Sequence, residues 1–141
     1  MKKRIFIDTN IMLDLLGERE PFYTPIAKIA TLAEKGKLSM VVSPISFATV
    51  NYFLSKYENS KTAREKLRKF KIISEVCSIN EQIIEKGLNS EIKDFEDALQ
   101  YFSALEFDCK VIITRNGKDF KESILPVQTA EEFLNIFVNS Q

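Results

Sequence analysis

Short continuous apolar runs alternate along this chain with longer stretches in which apolar positions recur every three or four residues. The first run, Arg4 to Ile7, is brief and β-branched, which suits a buried strand. Asn10 then supplies a cap for a short helix that ends at Gly17. Ile26, Ile29, Ala30 and Ala33 recur at helical spacing, Gly36 closes that segment, and Leu38 to Val42 reads as a second buried strand. Ser43-Pro44 is a helix start, with a capping side chain and then proline at the first helical position, leading into ISFATVNYFLSKY. Between Lys61 and Ile73, the residues Ala63, Leu67 and Phe70 form an apolar stripe on an otherwise basic helix, and EVCSI is a short third strand. Asn80 caps a helix running to about Leu88. In DFEDALQYFSALEF, the residues Ala98, Tyr101, Phe102 and Leu105 share one face, and KVIITRN follows as a strand entering a turn. LPV is a short edge strand, and TAEEFLNIFV opens with the capping box Thr129 to Glu132 before an amphipathic helix.

Strands and helices in alternation, with strands apolar throughout, predict an α/β fold: a three-layer α/β/α sandwich around a central parallel sheet. Ligands of such sheets bind beyond the carboxyl ends of the strands, and Asp8, directly after the first strand, belongs at that edge. The 141 residues fit one domain, 1–141, with no linker, low-complexity tract or internal repeat to divide it.

Composition narrows the chemistry. Lys plus Arg and Asp plus Glu are 20 each, so net charge neither favours nor excludes a nucleic-acid partner. MKKRIF begins like the basic region of a signal peptide, but Asp8, Asn10 and Asp14 interrupt the apolar stretch that would have to follow, and no segment is suited to a membrane; a cytoplasmic protein is expected. Cys77 and Cys109 form no CxxC pair and read as core thiols. There is no histidine, which removes Ser-His-Asp and Cys-His catalysis, histidine general bases and nearly all zinc chemistry. A hydrolase built from this chain is left with carboxylates and a hard metal.

Three acids share the right kind of position: Asp8 after the first strand, Asp97 in the first turn of the FEDALQYF helix, and Asp119 after VIITRNGK. Carboxylates brought together repel unless a cation neutralises them, and Mg²⁺ or Mn²⁺ prefers such ligands. Each acid also has a structural reading that stays open: Asp8 as a helix cap, Asp94 and Asp97 as a capping pair, and Asp119 as part of an Asn116-Gly117 turn. Lys61, Arg64, Lys66, Arg68, Lys69 and Lys71 offer either a phosphate-binding face or a solvated one. Arg115, beside the proposed site, is the candidate for meeting a substrate phosphate. Phe47, Tyr52, Phe53 and Tyr57 are base-stacking candidates whose default place is the core.

Read in order, FIDTNIMLDLL, SPISFATVNYFL, DFEDALQYFSA and VIITRNGKDF resemble the PIN-domain family over nearly the whole chain, particularly its bacterial VapC toxin ribonucleases. The resemblance implies a parallel sheet between helices, Mg²⁺ or Mn²⁺ held by acids, and hydrolysis of RNA phosphodiesters to leave a 5′-phosphate and a 3′-hydroxyl. It further implies restraint by a small antitoxin protein, as in a type II toxin–antitoxin pair, and a homodimer. By position, Asp8, Asp97 and Asp119 look like the metal ligands, and Thr9, Asn10 and Thr114 like hydrogen-bonding support. Asn116 falls where many relatives carry an aspartate and would offer a neutral oxygen. Thr49 stands near the position where most catalytic relatives have a glutamate, leaving Asp94 or Glu96 to compensate. The alternative function is a PIN-like RNA- or protein-binding module with weakened catalysis; a phosphoacceptor receiver-type domain ranks below both.

Overall fold

The computed structural model describes residues 2–140. Its strands are β1 (Arg4–Ile7), β2 (Ser39–Val42), β3 (Ser74–Val76), β4 (Val111–Ile113) and β5 (Val127–Gln128), and its helices are α1 (Thr9–Leu16), α2 (Tyr23–Glu34), α3 (Pro44–Tyr57), α4 (Ser60–Ile72), α5 (Glu81–Leu88), α6 (Phe95–Glu106) and α7 (Ala130–Asn139). A short 3₁₀ helix, Gly117–Phe120, lies between β4 and β5. The strands form one sheet in the order β3-β2-β1-β4-β5, with every pairing parallel. Ile5 pairs with Met40 on one side and Val111 on the other.

Successive strand residues point to opposite faces, and here both faces are covered, so the strands are apolar without interruption. Ile5, Ile7, Met40, Val42, Val111 and Ile113 pack on one face with Met12, Ile26, Leu54, Phe70 and Phe133 from α1, α2, α3, α4 and α7. Phe6, Val41 and Ile112 pack on the other with Tyr101 and Ala104 of α6, against which α5 rests. The sandwich therefore has the three layers expected. Cys77 and Cys109 are free and buried in the second cluster, and burial pushes their thiols up to about 11 and about 12.

Caps explain most of the helix starts. Ser43, Asn59 and Asn80 each accept a hydrogen bond from the backbone three residues on, and Thr129 and Glu132 form a full capping box. Gly36, just past α2, takes φ = 74°, a conformation in which other residues are strained. The cap of α1 is Asp8 and not Asn10, which is already helical and exposed. The third strand ends at Val76, short of the expected EVCSI span. The aromatics of α3 also divide: Phe47 and Phe53 are half-buried against the core, whereas Tyr52 and Tyr57 are 61 % and 73 % exposed, because Ser46, Val50 and Leu54 set the buried stripe. Among the described residues no helix is long and apolar enough to cross a membrane.

From β1 the chain builds outward to β2 and β3, then crosses to β4 and β5 on the opposite side. The carboxyl ends of β1 and β4 therefore flank the point where strand order reverses, the usual ligand crevice of a parallel sheet.

Candidate metal centre

Asp8 sits at that crevice with its backbone amide donating to the Ile113 carbonyl of β4 at 3.0 Å. Its carboxylate is held at both oxygens. Oδ1 accepts from the Thr9 amide at 2.8 Å, and Oδ2 accepts from the Thr114 hydroxyl at 2.7 Å. The capping reading and the site reading of Asp8 thus describe the same side chain. Thr114 Oγ1 in turn accepts from the Asn116 amide at 3.0 Å, which shapes the loop after β4. Thr9 shares a 2.7 Å hydrogen bond with Ser46 of α3. Asp8 is 5 % exposed, and burial raises its pKa above the ordinary carboxylate value, with Asp119 adding to the rise while the hydrogen bonds from Thr114 and Thr9 oppose it.

Asp97 reaches the same place from the first turn of α6. Asp94 caps that helix by accepting from the Asp97 amide at 3.0 Å, so the capping pair exists and still leaves the Asp97 carboxyl free to face the crevice. Burial, then the charges of Asp94, Asp8, Asp119 and Glu96, push Asp97 up to about 7. Asp119 is exposed on the 3₁₀ helix, with its amide bonded to the Asn116 carbonyl at 2.9 Å. These residues line one cavity of about 290 Å³ carrying five carboxylates, those of Asp8, Asp94, Glu96, Asp97 and Asp119; Thr9, Asn10, Thr49 and Asn116 complete its lining.

Arg115 and the basic face of α4, both phosphate candidates from the sequence, lie outside the lining of this cavity. The Arg115 guanidinium grips Asp14 through Nε at 2.9 Å and Nη2 at 3.2 Å, and lies 3.9 Å from the centroid of the Phe22 ring. Asp14 is 0 % exposed and also pairs with Arg19 at 2.9 Å. The basic residues of α4 do not line the acidic cavity, and Lys66 is occupied by Glu58 and the Leu16 carbonyl. Lys93, Lys118 and Lys121 instead line an adjoining cavity of about 440 Å³ that shares Asp94, Asp97 and Asp119. These lysines were not singled out from the sequence, where they lie scattered in two loop regions.

Among the described residues, no three acidic, histidine or cysteine side chains stand where they could together grip one ion. The carboxylates ring the cavity. The donor set still suits a hard divalent cation that keeps much of its water: all its ligands are oxygens, and no lysine or arginine lines the cavity to neutralise them.

The chain is 29 % identical over 136 residues to Ribonuclease VapC1 of Aquifex aeolicus (strain VF5), covering 93 % of each protein. A toxin–antitoxin complex from Klebsiella pneumoniae contains a similar chain, at 27 % identity and a TM-score of 0.64 over 89 % of this chain and 97 % of that one. VapBC2 from Rickettsia felis, solved bound to a DNA fragment from its promoter, shares the fold with a TM-score of 0.69 at 19 % identity, covering 89 % of this chain and 98 % of that one. The family model of the PIN domain matches residues 4–118, from the start of β1 to the residue before Asp119, and the chain belongs to that family.

Proposed function

We propose that this protein is a metal-dependent endoribonuclease that hydrolyses RNA phosphodiesters and serves as the toxin of a type II toxin–antitoxin pair. One observation carries the reading: Asp8, fixed at the sheet's switch point by a hydroxyl from the neighbouring strand, shares with Asp97 and Asp119 a cavity that holds no basic side chain. The names of the similar proteins, a ribonuclease and members of toxin–antitoxin complexes, support it.

Mg²⁺ or Mn²⁺, when bound, would lower the pKa of a water for in-line attack and offset charge on the phosphoryl group. The chain's own residues prepare for this. Thr9 and Thr114 keep the Asp8 carboxylate in one orientation while leaving each oxygen a lone pair. Asp97, with its pKa near 7, gives up its proton readily once positive charge enters the cavity. Asn116 contributes a neutral oxygen beside Asp119, and Asn10 and Thr49 supply further polar lining. Lys93, Lys118 and Lys121 line the adjoining cavity and take the substrate-phosphate role, while Arg115 holds Asp14. Cleavage leaves a 5′-phosphate and a 3′-hydroxyl. The same reading makes the chain one functional unit in the cytoplasm, active as a homodimer and silenced by an antitoxin that enters the acidic cavity.

The test is RNA cleavage with and without Mn²⁺. Asp8→Asn and Asp97→Asn should each abolish metal-dependent cleavage while leaving thermal unfolding cooperative; cleavage at the parental rate by either variant refutes the assignment. A binding module with weakened catalysis is the second reading, favoured by the neutral Thr49 and Asn116 in the cavity lining. It requires RNA or protein binding with no turnover under the same conditions.

A further inference from the structure

Helix α3 brings no carboxylate to the cavity. Its lining residue there is Thr49, and the chain has no acid from Ser43 through Tyr57. Glu96 of α6 lines the same cavity, one residue before Asp97. Although neighbours on a helix diverge by about 100°, both lie in the first turn, where the crevice meets the end of α6. Glu96 is half-buried.

Gln100 explains the orientation of Glu96. It follows by four residues, on the same helical face, and its Nε2 stands 3.4 Å from Glu96 Oε2. Gln100 is 1 % exposed. Its carbonyl oxygen, Oε1, is buried and has no partner. Buried polar atoms are nearly always satisfied by protein or by ordered water, so an idle acceptor on the amide that holds Glu96, an acid of the cavity, marks a place for a donor brought by a ligand. A hydrated divalent cation supplies such donors.

We propose that Glu96 is a further acidic ligand of the metal centre, taking the place of the acid that α3 lacks, and that Gln100 positions it. One amide edge steadies Glu96, and the other accepts a hydrogen bond from water carried by the ion. This rests on the metal-dependent reading above, and the experiment separates the two.

Mn²⁺ binding is measured by calorimetry on the full chain without RNA, for the parent and for Asp8→Asn, Glu96→Gln, Gln100→Leu and the double variant Glu96→Gln/Gln100→Leu. Glu96→Gln should weaken Mn²⁺ binding about tenfold or more, as should Gln100→Leu, and the double variant should lose less than the two single losses combined. Losses that simply add would overturn the pairing. Parental affinity in Glu96→Gln, with Asp8→Asn weakened, overturns the ligand role and leaves the metal-dependent reading intact. No Mn²⁺ binding by the parent overturns both. Thermal unfolding confirms that each variant folds, and Glu96→Ala, with the same expected loss, stands in should Glu96→Gln fail to do so.

Discussion

Asp8 accepts two hydrogen bonds through two different oxygens, from Thr9 at 2.8 Å and Thr114 at 2.7 Å, so its carboxylate has little freedom to turn. Groups that orient a metal ligand typically matter about 10–100-fold to affinity. Thr114→Val keeps the shape of the side chain but strips Asp8 Oδ2 of its donor and the Asn116 amide of its acceptor. Mn²⁺ binding followed by calorimetry should weaken by about that range, and cleavage should fall with it. Thermal unfolding should report a loss of about 1–3 kcal/mol from the unpaired groups; unchanged metal affinity would show that Thr114 only shapes the loop. At this scale the sequence exposed the strand-end acid because a charge closing an apolar run has few structural excuses. It left Glu96 as an alternative to Asp94, since its place beside Asp97 on a helix suggests a different direction, and it gave no sign of Gln100, which looks like any polar helix position.

Among the elements, α1 and the loop after β4 are tied together by Asp14. This carboxylate is fully buried and holds Arg19 and Arg115, while Arg115 also covers the Phe22 ring just before α2. The tie sits between Thr114 and Asn116, so it steadies the loop that delivers Asn116 and Asp119 to the cavity. Asp14→Asn keeps the volume and removes the charge, leaving two guanidinium groups without their counterion. Loss of one member of a buried pair costs about 3–5 kcal/mol, and the arginines' one-third exposure brings the expectation to about 2–3 kcal/mol. A denaturant melt should show that loss, and the metal-dependent cleavage rate should drop even where the variant is fully folded. A stability within about 0.5 kcal/mol of the parent would mean that solvent compensates the arginines. Helices, strands and most caps were legible because each depends on residues close in sequence: Ser43-Pro44, Asn80 and the Thr129–Glu132 box are local signals. The Asp14–Arg115 pair spans 101 positions, and no local pattern announces it.

For the molecule as a whole, collecting acids at one edge of the sheet makes stability depend on pH in an unusual direction. Asp97 is pushed up to about 7 from an ordinary value of 3.8, and Asp8 and Glu96 are raised as well, in each case first by burial. A raised carboxyl means that the folded chain binds more protons than the unfolded one between the two values. Its contribution is therefore fully present below the unfolded pKa and is lost as pH rises through the folded one. Carboxylates in ion pairs act in the opposite sense, so the comparison must isolate the cavity. In chelator, the melting temperature of the parent relative to Asp97→Asn should decline between about pH 4 and about pH 7, because the variant has no proton to lose there. A divalent cation that binds only the folded chain reverses the penalty, and it competes with protons for the same oxygens. Mn²⁺ should accordingly raise the parent's melting temperature more at about pH 8 than at about pH 5, and do little for Asp97→Asn at either. If the parent and Asp97→Asn instead keep a constant difference across that range in chelator, the Asp97 carboxyl is not strained in the folded protein, and the charge repulsion that would draw a cation into the cavity is absent at that residue.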